Sequence, residues 1–377
     1  MAKRGRGFYE AIATLVGTTI GAGIMGIPYV VAKAGILAGI IDVILLGAVV
    51  LMINLYTGEI ALRTKKTHQL AGFAEIYLGK NGKTIMAVTS FFSIIGALIA
   101  YIIGGGQVIS AIIGGSAFLY SLIFFAICSA FIYFDLKIVK EAELYMNIVL
   151  LFVIAAIIAI AFAFSSPANY IFKPLNLANI FIPYGVILFA FVGASAVPAM
   201  EVELRQNKKM LRKAIIIGTL IPFAVYFLFM LAVIGATGIQ TTEIATIGLG
   251  QRIGDIMVLL GNLFPAFSMS TSFMILGLAL KWMLHYDYRW NKTLAWFTTC
   301  FIPLGLFLAG ARSFINVIGI TGAVAGGIEG ILLVLIAKQA KTKGQVKPAY
   351  RMGLGWIFAI VLMVIFTAGI IYQFIRF

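Results

Sequence analysis

Four glycines and a proline stand close together in the stretch Gly17-Thr18-Thr19-Ile20-Gly21-Ala22-Gly23-Ile24-Met25-Gly26-Ile27-Pro28, inside an apolar run. In a helix interior glycine costs about 1 kcal/mol against alanine, and proline about 3. A second cluster, Phe189-Ala190-Phe191-Val192-Gly193-Ala194-Ser195-Ala196-Val197-Pro198, interrupts another apolar run. Backbone groups freed by such breaks find no partner in lipid, so they must face protein, water or a ligand. The chemistry on offer is recognition of a small charged ligand by the ends of half-helices. Amides that open the outer half of the first segment, around Gly21, Ala22, Gly23 and Ile24, meet an anion with the favourable end of a helix dipole. Carbonyls that end its inner half, around Thr18 and Thr19, can accept from an ammonium, and carbonyls near Phe189, Val192 and Gly193 add to them. Glycine admits a ligand close to the backbone. The competing explanation of the same small residues is close packing of helices.

Further along, Ser268, Thr271 and Ser272 fall at i, i+3 and i+4, on one helix face. Together with backbone carbonyls of the first break, at Ile20, these hydroxyls would form an oxygen cage suited to a hard cation such as sodium. Alternatively they bond back to their own helix carbonyls. Among intramembrane acids Glu329 stands out, at roughly 12 Å from the cytoplasmic end of its apolar run at 1.5 Å per residue. A charge at that depth is costly and functional by default. Glu329, and Glu201 near the cytoplasmic edge of its segment, are therefore candidates for a proton carrier or gate; a paired or protonated structural carboxyl is the plain alternative. Asp42 lies nearer the outer surface, and Glu59 is placed to pair with Arg63 four residues on. Cys128 and Cys300 lie in apolar runs and read as inert thiols, while His68 and His285 sit in separate polar loops. No metal-ligand spacing occurs, so neither a catalytic metal nor an organic cofactor is expected.

These groups need a membrane scaffold. Of the 377 residues 62% are hydrophobic and only 11% charged, against about 25% charged in an ordinary soluble domain. Such a chain cannot cover a soluble surface. Apolar segments fall at about 8–34, 36–62, 84–113, 117–135, 143–164, 180–203, 212–234, 254–284, 293–310, 313–337 and 354–375, each near the roughly 20 residues a span requires. They are too long and unbroken for a transmembrane barrel. The first is too long for a signal-peptide core. Between the second and third, residues 69–78 read as a short amphipathic helix on the cytoplasmic surface. With the N-terminus in the cytoplasm, all 28 basic residues but Lys33, Lys173, Arg252, Arg312 and Arg376 fall on the cytoplasmic side. The cytoplasmic set includes Lys137, Lys209 and Lys281. That asymmetry puts the C-terminus outside. It also assigns the net charge of +15 to topology and anionic headgroups, not to nucleic acid.

The two breaks are five spans apart, in spans of opposite direction. That is the sequence pointer to an all-α transporter built from inverted repeats, at about 8–164 and 180–337, with the eleventh span peripheral and no second domain. The run Gly17 to Pro28 resembles the first-helix signature of the amino acid–polyamine–organocation transporters. Within them it is most similar to the amino acid/auxin permease branch, which includes prokaryotic aromatic amino acid permeases. Ser270-Thr271-Ser272-Phe273 followed by Leu276-Gly277-Leu278 resembles the eighth-helix motif of that branch. The resemblance implies a LeuT-type fold of five plus five helices with broken helices 1 and 6. It implies that Phe189 matches an aromatic covering the substrate, and that a sodium site lies beside helix 8. Some relatives replace that ion with a lysine on helix 5; residues 144–164 hold none.

The expected function is ion-coupled import of an aromatic or neutral amino acid through the cell membrane, with sodium or a proton as coupling ion. Exchange of amino acids on the same fold is the alternative. An ion channel would show repeated pore motifs, and a membrane enzyme a paired nucleophile and base or a metal motif; neither pattern is visible.

Overall fold

A computed structural model describes residues 2–135, 140–170, 173, 175, 177–353 and 355–376. Lys137, Leu354 and Phe377 lie outside the described residues, as do the side chains of Lys3, Arg4 and Arg6. The helices, in chain order, are α1 (Ala2–Thr19), α2 (Ile27–Ala34), α3 (Ile36–Arg63), α4 (Leu70–Ile113), α5 (Ala117–Tyr133), α6 (Lys140–Ala163), α7 (Leu177–Ile180), α8 (Tyr184–Phe191), α9 (Val197–Glu203), α10 (Leu211–Thr237), α11 (Ala245–Ile253), α12 (Asp255–Trp282), α13 (Lys292–Leu308), α14 (Phe314–Thr321), α15 (Gly327–Lys343) and α16 (Trp356–Arg376).

Among the described residues, 7 helical segments are long and apolar enough to cross a membrane. The bent pair Gly7–Thr19 and Ala22–Ala34 makes an eighth span, and three shorter apolar helices, at 117–133, 148–163 and 292–308, bring the set to the eleven segments read from sequence. Span 1 is α1 with α2, span 6 is α8 with α9, and span 10 is α14 with α15. Spans 7, 8 and 11 are α10, α12 and α16. Many large apolar side chains, such as Ile44, Phe152, Phe267 and Ile357, lie exposed on the outside of the bundle, as a lipid-facing surface requires.

The amphipathic stretch and span 3 are one helix, α4, turned at Gly79 (φ 78°, ψ −168°), a conformation that glycine adopts without strain. The stretch is helical, but its apolar face is not given to lipid. Leu70, Phe73, Ala74 and Tyr77 are buried, and the Tyr77 hydroxyl lies 2.9 Å from Thr64 Oγ1. The outer polar stretch after span 7 folds as α11 and packs along α12.

Two features were not readable from the sequence. Lys281 is not a solvated charge. It is 1% exposed, and its Nζ donates to the carbonyls of Ile132 (2.7 Å) and Tyr133 (3.0 Å) and to Asp135 Oδ1 (2.9 Å). The last carbonyls of α5 have no partner of their own, and an ammonium on the neighbouring helix supplies one. Asp135 also takes Lys292 at 2.5 Å and the Trp282 ring N–H at 3.3 Å. Burial alone would raise the Asp135 carboxyl, but the hydrogen bonds and charge of the two lysines overcome it and hold it at about 2. Second, span 10 does not end at 337. Helix α15 runs on to Lys343, because Lys338, Lys341 and Lys343 ride on its last turns. Glu329 therefore lies roughly 21 Å from the C-terminal end of α15 at 1.5 Å per residue.

A strap, residues 345–353, ties spans 10 and 11 to α3. The amides of Gln345 and Val346 bond the Arg63 carbonyl (2.8 and 3.0 Å), and Tyr350 Oη donates to the Leu55 carbonyl (2.6 Å). Glu59 accepts from Arg63 (2.7 Å) and from the Met352 amide (2.9 Å). The expected Glu59–Arg63 pair is thus present, with a third member from the strap.

Candidate functional site

The first break falls where the composition placed it. Helix α1 stops at Thr19, Ile20 and Gly21 are non-helical, a tight turn covers Ala22–Gly26, and α2 resumes with Pro28 in its first turn. The two halves are bent by 46°. The second break lies at Val192 and Gly193, followed by a turn at Ala194–Ala196 and by α9 with Pro198 in its first turn. In both spans a proline sits where its missing N–H removes nothing, at a helix start. Each break thus places the end of one half-helix against the start of another.

The two breaks meet. A Cβ built on Gly23 would lie 2.7 Å from Ala190 Cα, and one on Gly193 would lie 2.7 Å from Thr19 Oγ1. So Gly23 and Gly193 are glycine because spans 1 and 6 cross there without room for a side chain, which is the packing explanation. Gly21 is different. A Cβ there meets nothing within 4 Å, and its backbone (φ −136°, ψ −157°) suits any residue. Of the glycines at the two breaks, Gly21 fronts open space.

Tyr226 of α10 joins them. Its hydroxyl is 2.6 Å from the Thr19 carbonyl and 3.1 Å from the Ala190 carbonyl, and the backbone of Gly21 hydrogen-bonds it as well. Tyr226 is fully buried, and the Phe191 ring packs on it at 5.0 Å. Phe191 is itself fully buried and belongs to the core. Phe189 is half-buried, and its backbone runs against span 10, since a Cβ on Gly322 would meet Phe189 N at 2.6 Å. Ala22, Gly23 and Ile24 are buried, Val192 is half-buried, and Thr18 is exposed with its hydroxyl bonded to the Thr14 carbonyl (2.7 Å).

Helix α12 packs against the Ala22–Gly26 turn, so span 8 and the first break are neighbours. Thr271 Oγ1 bonds back to the carbonyls of Phe267 and Ser268, both at 3.1 Å, which is the alternative raised by the sequence. A back-bonded hydroxyl keeps its oxygen lone pairs. Ser268 is buried, and Ile20 is buried with its amide on the Val16 carbonyl. Glu329 is half-buried and makes no hydrogen bond or ion pair among the described residues. Glu201 is buried and paired with Lys208 at 2.5 Å, beside the Thr14–Glu203 hydrogen bond (3.0 Å) that joins the inner halves of spans 1 and 6.

Helix α11 packs over the turn that follows the first break. Thr246, fully buried, reaches Asn262 Oδ1 at 3.2 Å and Met25 Sδ at 3.9 Å. Glu243 ties the same loop to span 10 through Ser313 Oγ (3.1 Å) and the Ile315 amide (3.3 Å). Sequence reasoning passed over Tyr226. Its signal was a tyrosine in the middle of an apolar run, where a hydroxyl at membrane depth needs a partner.

The model of the tryptophan/tyrosine permease family matches residues 5–373. Glutamine transporter 2 of Aliivibrio fischeri is 23% identical over 82% of this chain and 83% of its own length. Tyrosine-specific transport system 1 of Haemophilus influenzae is 29% identical over 59% of this chain and 56% of its own. Among solved structures, that of MhsT in complex with L-phenylalanine shares the fold, with a TM-score of 0.69 at 14% identity, covering 98% of this chain and 97% of that one. The architecture is the LeuT type, and the crossed breaks at Thr19–Gly23 and Ala190–Gly193 lie at its middle. The chain belongs to the tryptophan/tyrosine permease family and is a multi-pass secondary transporter of amino acids.

Proposed function

We propose that the chain imports an aromatic amino acid across the cell membrane by sodium symport, with the N-terminus in the cytoplasm and the C-terminus outside. The observation that carries the site is the crossing of two broken spans beside the open space at Gly21. Helix starts and helix ends meet there, so one small ligand can have its carboxylate at the amides of Ala22 to Ile24 and its ammonium at the carbonyls of Thr18 to Ile20 and of Ala190. Aromatic substrates are favoured by the family, by the tyrosine-specific relative and by the phenylalanine complex of the structural neighbour; the glutamine transporter keeps neutral polar substrates as the second class. Sodium is favoured by the packing of α12 on the turn that follows the first break, together with the hydroxyls of Ser268, Thr271 and Ser272 on that helix. Alternating access fits a break covered outside by α11 and bordered inside by the exposed Thr18.

A proton reading rests on one observation, the unpaired Glu329 of span 10. Uptake of labelled tryptophan, tyrosine, phenylalanine and glutamine into proteoliposomes, with and without a sodium gradient, separates the two. Sodium-stimulated uptake that is lost in Thr271→Val/Ser272→Ala and kept in Glu329→Gln supports the proposal. Uptake driven by a pH gradient without sodium and lost in Glu329→Gln overturns it in favour of Glu329.

A further inference from the structure

Two helices end at the same place. Helix α1 runs towards the break and finishes at Thr19; α8 runs towards it from the other side and finishes at Phe191. Each ends in carbonyls without intrahelical partners, carrying the negative end of a helix dipole. Two such ends facing one another call for positive charge, and half-helix carbonyl ends in transporters of this architecture take a coupling cation. In this chain a hydroxyl stands between them. Tyr226 Oη lies 2.6 Å from the Thr19 carbonyl oxygen and 3.1 Å from that of Ala190. The ring is held from behind by Phe191 at 5.0 Å, and the whole side chain is buried.

We propose that Tyr226 is a positioning residue whose hydroxyl takes the place of a cation between the ends of the two broken spans. The inference rests on the proposed amino acid site at the same breaks. Its hydroxyl carries one proton. The short bond goes to Thr19, and the longer contact leaves Ala190 with spare acceptor capacity, which the substrate ammonium can use. Tyr226 therefore does two things. It holds the breaks at a fixed separation in the empty carrier, and it removes the need for a coupling ion at this point. Cation binding is confined to the span 8 side, so no more than one coupling cation moves with each amino acid.

The test compares wild-type protein with Tyr226→Phe in proteoliposomes, measuring KM and maximal rate for labelled tyrosine over a wide range of sodium, and of lithium at fixed sodium. Wild-type uptake is the control for the transport reading itself; if wild type does not transport, that reading fails and the variant is not the cause. Tyr226→Phe keeps the ring on Phe191 but removes the one donor that stands between the Thr19 and Ala190 carbonyls. The expected result is a KM raised on the order of tenfold at low salt, the loss of about one buried hydrogen bond. High sodium or lithium should recover it, because a small cation can enter where the hydroxyl was. An unchanged KM overturns the proposal, as does a raised KM that no monovalent cation recovers, the mark of a purely structural tyrosine. Should Tyr226→Phe not insert, the reversal potential of wild-type transport decides: up to one cation per amino acid agrees with the proposal, two contradict it.

Discussion

Gly21 and Gly23 are two residues apart, and alanine should do opposite things at each. At Gly23 the new methyl would sit 2.7 Å from Ala190 Cα and 2.9 Å from Ala190 Cβ. The obstacle is backbone, so span 6 must move as a unit. Overpacking of this kind costs typically 1–3 kcal/mol, and Gly23→Ala should lower the temperature at which the detergent-purified protein aggregates. At Gly21 the methyl meets no heavy atom within 4 Å and the backbone is extended. Gly21→Ala should leave thermal stability within about 0.5 kcal/mol of wild type, as for substitutions that touch no packed feature. It should nevertheless raise KM for the amino acid, because the methyl stands in the space at the break, and Gly21→Val should raise it further. The assay pairs fluorescence-detected size exclusion after a heating series with initial-rate uptake on the same preparations. A Gly21→Ala protein with wild-type KM would refute the assignment of ligand to that space. A Gly23→Ala protein as stable as wild type would refute the packing assignment.

Lys281→Met leaves the end of α5 and part of Asp135 without a donor, so a loss of about 2–4 kcal/mol is expected; Lys292→Met, at an exposed position, should lose clearly less, and unfolding of the two variants in the same detergent compares them. Asp135 is depressed from 3.8 to about 2, so its stabilising contribution is complete above pH 4 and is lost as the pH falls through 2; acid unfolding of wild type should steepen in that window, and that of Asp135→Asn should not. Glu59→Gln weakens the contacts to Arg63 and the Met352 amide, and should release residues 345–353 to limited proteolysis at a stability loss of about 1–3 kcal/mol. For topology, a cysteine at Lys209 should react only with a reagent delivered from the cytoplasm, and one at Arg252 only from outside; labelling of both from one side would contradict the assigned orientation.

The breaks were legible because glycine and proline are expensive inside a lipid-embedded helix, so their clustering at Gly17–Pro28 and Val192–Pro198 could be read without a partner in view. Which glycine does what was not legible. Gly23 is explained by Ala190, far away in the chain, and Gly21 by the lack of any such neighbour; crossing contacts leave no trace in local spacing. Charge was read as position relative to the membrane. The burial of Lys281 was not legible, because only the packing of α12 on α5 shows that its ammonium caps carbonyls of another helix. The end of span 10 was placed too early, since hydropathy fades at 337 while the helix continues through Lys343. Tyr226 was missed because a tyrosine in an apolar run looks the same from sequence whether its hydroxyl meets lipid headgroups, water or two carbonyls.

The central claim, that one amino acid binds where the two broken spans cross, is tested most directly by an experimental structure determined with L-tyrosine present. The account predicts the ligand beside Gly21, its carboxylate on the amides of Ala22 to Ile24, and its ammonium on carbonyls of Thr18 to Ile20 and Ala190. Tyr226 should still bridge Thr19 and Ala190. A tyrosine bound elsewhere, with the space at Gly21 filled by protein side chains, would contradict it.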